Sequence, residues 1–108
     1  MSSAAAGKAL RRLLAAQFPR FRGLVDVELV ESSDWNSVTF TGARHHLRVL
    51  LEGEGAGAAA SAFLEELIEL ELPITGHLVA EIGLRVDERR DGGAWARVEL
   101  DALTVEVS

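Results

Sequence analysis

Residues 3–18 place Leu10, Leu13, Leu14 and Phe18 on one side of a helical wheel and Lys8, Arg11 and Arg12 on the other. This spacing predicts an amphipathic first helix that ends at Pro19. From Phe21 the period changes to two: Phe21, Val25, Val27 and Leu29 alternate with Arg22, Asp26 and Glu28, the mark of a strand. Ser32, Ser33 and Asp34 read as a turn, followed by strand-like runs at 35–41 and 44–52. Ala56 to Leu72 is rich in strong helix formers and stops before Pro73. Ala60, Phe63, Leu64 and Leu67 form its apolar stripe, with Glu65, Glu66 and Glu69 outside. Two long strands follow at 74–88 and 94–107.

Registers follow from keeping apolar side chains on one face. A two-residue turn at Gly42-Ala43 pairs Thr41 with Arg44, Phe40 with His45 and Val38 with Leu47. A three-residue turn, Asp91-Gly92-Gly93, pairs Val86 with Val98 and Leu84 with Leu100, with Gly93 at positive φ. The same register sets Arg85 opposite Glu99 and Asp87 opposite Arg97. The apolar positions of the last strand then switch from even (Val98, Leu100) to odd (Leu103, Val105, Val107). That switch predicts a β-bulge near Asp101-Ala102. The expected fold is a single α+β domain over residues 1–108, in the order α-βββ-α-ββ. A curved five-stranded antiparallel sheet carries both helices on one face. Thr39, Thr41, Arg44, His46, Arg48, His77, Glu81, Arg85, Arg97 and Glu99 fall on the other face, with Trp95 near its edge.

Composition changes this picture in three ways. A chain of 108 residues supports one core. With no cysteine, disulfides and thiolate metal sites are excluded. The net charge of −6 is uneven. Residues 1–22 carry five bases and no acid, whereas the remainder carries all 17 acids against six bases. An acidic surface disfavours phosphate backbones, so no nucleic-acid partner is expected. The basic first helix admits a transit-peptide or membrane-surface reading. Its apolar stripe suits a protein core better, so a membrane partner is not expected and a cytoplasmic location is.

Candidate chemistry is sparse. His45-His46 resembles a metal pair, but strand neighbours point to opposite faces and cannot both grip one ion. On the open face, His46, His77 and Glu81 supply a two-histidine, one-carboxylate donor set if the two hairpins meet. Arg44, His46 and Arg48 alternate along one strand as a cationic strip suited to a carboxylate or phosphate. Against these stand a core histidine at His45 and an ordinary solvated sheet face. No G-x-S-x-G motif is present, and Gly53-Glu54-Gly55-Ala56-Gly57 lacks the lysine of a phosphate loop. Trp95 is the better interface candidate of the two tryptophans.

Two resemblances rest on element order. Residues 3–71, read as α-β-β-β-α, resemble double-stranded RNA-binding domains. That family starts its second helix with lysines, where this chain has Gly55-Ala56-Gly57-Ala58-Ala59-Ala60 and no base. The full order resembles small acidic type III secretion chaperones, dimers that wrap an extended partner, without their final helix. The sequence thus points to a non-catalytic binding or assembly protein with no cofactor and no bound metal. Its partner is another protein or a second copy of itself. The alternative is a small-anion or small-ligand site, enzymatic or not, formed by Arg44, His46, Arg48, His77 and Glu81.

Overall fold

The computed structural model describes residues 3–107. Its elements run α1 (Ser3–Ala15), β1 (Leu24–Asn36), β2 (Thr41–Glu52), α2 (Ala56–Glu66), β3 (His77–Arg90) and β4 (Trp95–Glu106). The fold is α+β, with one antiparallel sheet ordered β1-β2-β4-β3. The molecule measures 48 × 21 × 20 Å. Its long axis matches fourteen extended residues at about 3.3 Å each.

The sheet has four strands rather than five. No turn forms at Ser32–Asp34, because β1 runs on through these residues to Asn36. The first hairpin turns at Ser37–Phe40 instead. There Ser37 N–H donates to Phe40 O (2.8 Å), and Ser37 Oγ accepts from the Phe40 (3.1 Å) and Thr39 (3.3 Å) amides. A serine hydroxyl that captures amides two and three residues ahead is a turn signal. The pairings therefore become Leu29 with Leu47, Ser32 with His45 and Trp35 with Gly42. Val38 and Phe40, assigned above to an apolar face, lie exposed in the turn. The element orders behind the two resemblances disappear with the fifth strand.

Both helices cover the same sheet face. Ala6, Leu10, Leu14 and Phe18 are buried at four-residue spacing, while Lys8 and Arg12 face outward. The helix α2 ends earlier than expected. Leu67–Glu69 tighten into a 3-10 turn and Leu70 is extended, so that Leu67, Leu72 and Ile74 are all buried. The core joins these residues to Leu47, Val49, Leu51, Ala96, Val98 and Leu100 from the two central strands. Phe18, three residues past the end of α1, and Phe63 of α2 meet with ring centroids 5.1 Å apart, which ties the segment after α1 to α2. Arg89 reaches from β3 to Gly57 O (2.9 Å) and Ser61 Oγ (3.0 Å), tying that strand to α2.

In the second hairpin, Leu84 does pair with Leu100, and Gly93 takes φ 92°. Nearer the tip the register differs by one residue: Arg90 pairs with Trp95 and Val86 with Glu99. The turn thus holds four residues rather than three, and a bulge in β3 between Leu84 and Val86 absorbs the extra one. No bulge lies in β4. That strand keeps one parity, with Ala96, Val98, Leu100, Ala102 and Thr104 all buried toward the helices. Leu103 and Val105 stay on the outer face, and β3 carries a second irregularity between Val79 and Glu81.

Candidate functional site

Three features carry chemistry: a buried polar relay under α1, a charge network on the outer sheet face, and the open edge of β3. In the relay, His45 is only 2% exposed, between β1 and β4. Its Nδ1 lies 2.7 Å from Ser32 Oγ and its Nε2 lies 2.8 Å from Thr104 Oγ1. The Thr104 hydroxyl donates onward to Ala43 O at 3.5 Å. One proton assignment satisfies every group: Nε2–H donates to Thr104, and Nδ1 accepts from Ser32. Burial, and secondarily the nearby His77, push the His45 pKa below 6.5.

A serine hydroxyl on a histidine nitrogen has the outline of a nucleophile and its base. The helix above removes that chemistry. A Cβ on Gly7 would lie 2.6 Å from Ser32 Oγ and 3.1 Å from His45 Nδ1, so α1 leaves no space for a substrate carbonyl. The relay is structural, and it satisfies polar groups that the core would otherwise strand.

The outer face is organised around Glu99. This residue is 7% exposed, although no helix among the described residues covers its side of the sheet. Burial alone would raise its pKa. The hydrogen bond from His46 and the charges of Arg48, His46 and Arg97 outweigh burial and hold the carboxyl below 4.5. His46 Nε2 donates to Glu99 Oε1 at 2.6 Å. Arg48 Nε and Arg97 Nε stand 3.7 Å and 3.5 Å from Oε2. The network extends to Glu28 through Arg48 (3.3 Å) and to Glu88 through Arg97 (2.8 Å). Replacing Glu99 with glutamine should lower stability by about 1–2 kcal/mol, since His46 and the buried Nε groups of Arg48 and Arg97 lose their shared anion while the two guanidinium groups keep Glu28 and Glu88. Urea unfolding at neutral pH, with an unchanged slope, measures this loss.

The expected site residues do not converge. Arg44 is exposed on the outer face. His46 and Arg48 share that face but serve Glu99. His77 lies on the helix side instead, buried, with Nδ1 3.3 Å from Thr75 O. The irregularity in β3 after Val79 changes the parity between His77 and Glu81. Glu81 faces outward opposite Leu103. It stands two strands across and two residues along from His46, about 12 Å away at ordinary strand spacing and rise. Among the described residues, no group of three or more His, Asp or Glu side chains could hold a metal ion. Trp95 is half-buried, with the Arg90 guanidinium 4.5 Å over its ring.

Glu99, Ser32 and Thr104 were not singled out by sequence as anchors. A signal existed for Glu99: Arg44, His46 and Arg48 alternate on one strand and Arg97, Glu99 and Asp101 on another, two complementary strips. Only the β2–β4 pairing, which sets Arg48 opposite Glu99, connects them.

The third feature is a groove of 870 Å³ beside β3, bordered by the apolar Ile68, Leu70, Leu72, Ile82 and Leu84 and by the charged Arg44, Glu81, Arg85 and Asp101. The Ile68 and Leu84 side chains are 91% and 52% exposed, and β3 ends the sheet with one backbone edge unpaired. No helix among the described residues is long and apolar enough to cross a membrane. The chain matches no protein-family model, and no curated protein sequence matches it.

Proposed function

We propose that this chain is a small, cytoplasmic, non-catalytic binding and assembly protein that associates with a second copy of itself through its uncovered sheet. The observation that carries the reading is the groove along the unpaired β3 edge, where the exposed Ile68 and Leu84 stand beside the charged Glu81 and Arg85. Unpaired strand edges flanked by apolar side chains favour pairing with another chain. The outer face supports assembly better than ligand capture. Its cations are paired with Glu28, Glu88, Glu99 and Asp101, which leaves Arg44 without an acid among the described residues.

Sedimentation equilibrium tests the reading. The mass should rise above 11.6 kDa as protein concentration increases. Leu84→Lys should remain at the monomer mass, with folding stability within about 0.5 kcal/mol of the parent, because the side chain is half exposed. A monomer mass at every concentration, or unchanged association in the variant, would contradict the proposal.

A further inference from the structure

The edge strand β3 pairs with β4 in three regular stretches, His77–Val79, Glu81–Leu84 and Val86–Arg90. Its two irregularities, after Val79 and after Leu84, leave Glu81–Leu84 in unbroken register with β4. All four residues of the Glu81–Leu84 segment line the groove and none of Val86–Arg90 does, so a neighbouring strand that covers the groove aligns here. Within it, Glu81 and Gly83 face the outer side, opposite Leu103 and Asp101. Ile82 and Leu84 face the helix side, opposite Ala102 and Leu100. Arg85 also points outward, where its guanidinium meets Asp101 at 3.3 Å.

A two-fold pairing of antiparallel edges joins residues whose numbers sum to twice that of the residue on the axis. Paired residues must also share a face. An axis at Ile82 sets Glu81 against Gly83 and leaves its charge unanswered. An axis at Leu84 sets Gly83 against Arg85. With the axis at Gly83, Glu81 meets Arg85 of the other copy twice over, on the outer face. Ile82 then meets Leu84 on the helix side, where Ile68 extends the apolar contact. Of these three axes, only the one at Gly83 satisfies charge and hydrophobicity together.

Resting on the assembly reading above, we propose that two copies join β3 to β3 antiparallel about a two-fold axis at Gly83, forming one continuous eight-stranded sheet. Gly83 itself suits the axis, since a Cβ there meets nothing within 4 Å of its own chain. A side chain at this position therefore leaves the monomer undisturbed.

Cross-linking tests the geometry directly, because the chain has no cysteine of its own. Directly opposed residues of antiparallel strands have Cα atoms about 4.5–5.5 Å apart, within the range of a disulfide. Under mild oxidation Gly83→Cys should give a reducible covalent dimer. Ser33→Cys, exposed on the outer face of β1, should not. As a second arm, Glu81→Arg and Arg85→Glu should each weaken the wild-type association about tenfold, and the double variant should recover it in part. If the parent chain dimerises but Gly83→Cys links no faster than Ser33→Cys, the Gly83 axis is wrong while the assembly reading stands. If the parent chain is a monomer at every concentration, both fall.

Discussion

Replacing His45 with alanine should destabilise the fold by about 3–4 kcal/mol, more than any other single change considered for this protein. Two terms add. The imidazole is almost wholly enclosed, so its removal leaves a cavity between β1, β2 and α1. It also bonds Ser32 and Thr104, and Thr104 has no exposure to water. Deleting the ring leaves Thr104 Oγ1 with only the long bond to Ala43 O. Ser32→Ala removes one partner at a half-buried position and should cost about 1 kcal/mol. Chemical denaturation of the three proteins separates these terms.

The same histidine predicts the acid response. In the unfolded chain His45 takes up a proton near its ordinary pKa of 6.5, whereas burial and His77 delay that uptake in the fold. Below pH 6.5 the unfolded state therefore binds more protons, and stability must fall as the pH drops. Glu99 adds a second loss of the same sign below 4.5, where the unfolded carboxyl protonates before the folded one. A parent chain whose stability is flat from pH 7 to 5 would contradict the first part. His45→Ala should lose that part and keep the second.

Gly42→Ala should cost about 2–3 kcal/mol, although it adds only one methyl group. A Cβ at Gly42 would stand 2.0 Å from Thr104 O, 3.0 Å from Thr104 C and 3.1 Å from Val105 Cα. These are backbone atoms of the adjacent central strand and cannot move independently. Relief requires β2 and β4 to separate at the end where Thr104 holds His45. The two sites are thus coupled, and the Gly42→Ala/His45→Ala double variant should lose less than the sum of the single losses. Thermal unfolding of the three variants measures that shortfall.

Gly42 also shows what was legible before the structure and what was not. Its position demands a residue without a side chain, whereas the local pattern of the chain places it in a turn. The demand comes from β4, more than sixty residues away, and local pattern carries no trace of it. Features set by nearby residues were readable: the stripe of Leu10, Leu14 and Phe18, the opposite faces of His45 and His46, and the Leu84–Leu100 register. Features set by strand order were not. The sheet order β1-β2-β4-β3 brings Glu99 beside Arg48 and His46 while keeping Glu81 two strands from His46. Parity failed in β3, where the irregularity after Val79 turns His77 under the helices while Glu81 stays on the outer face. Alternation alone cannot locate a bulge, because one extra residue moves every later side chain to the other face.

Hydrogen exchange followed along β3 at low and high protein concentration is the most direct test that this edge is the working surface. Amides that β4 does not hold are free to exchange in a lone chain. Exchange within Glu81–Leu84 should slow as concentration rises, while the β1 edge around Ser33 stays unchanged. Exchange along β3 that is the same at every concentration would contradict that role.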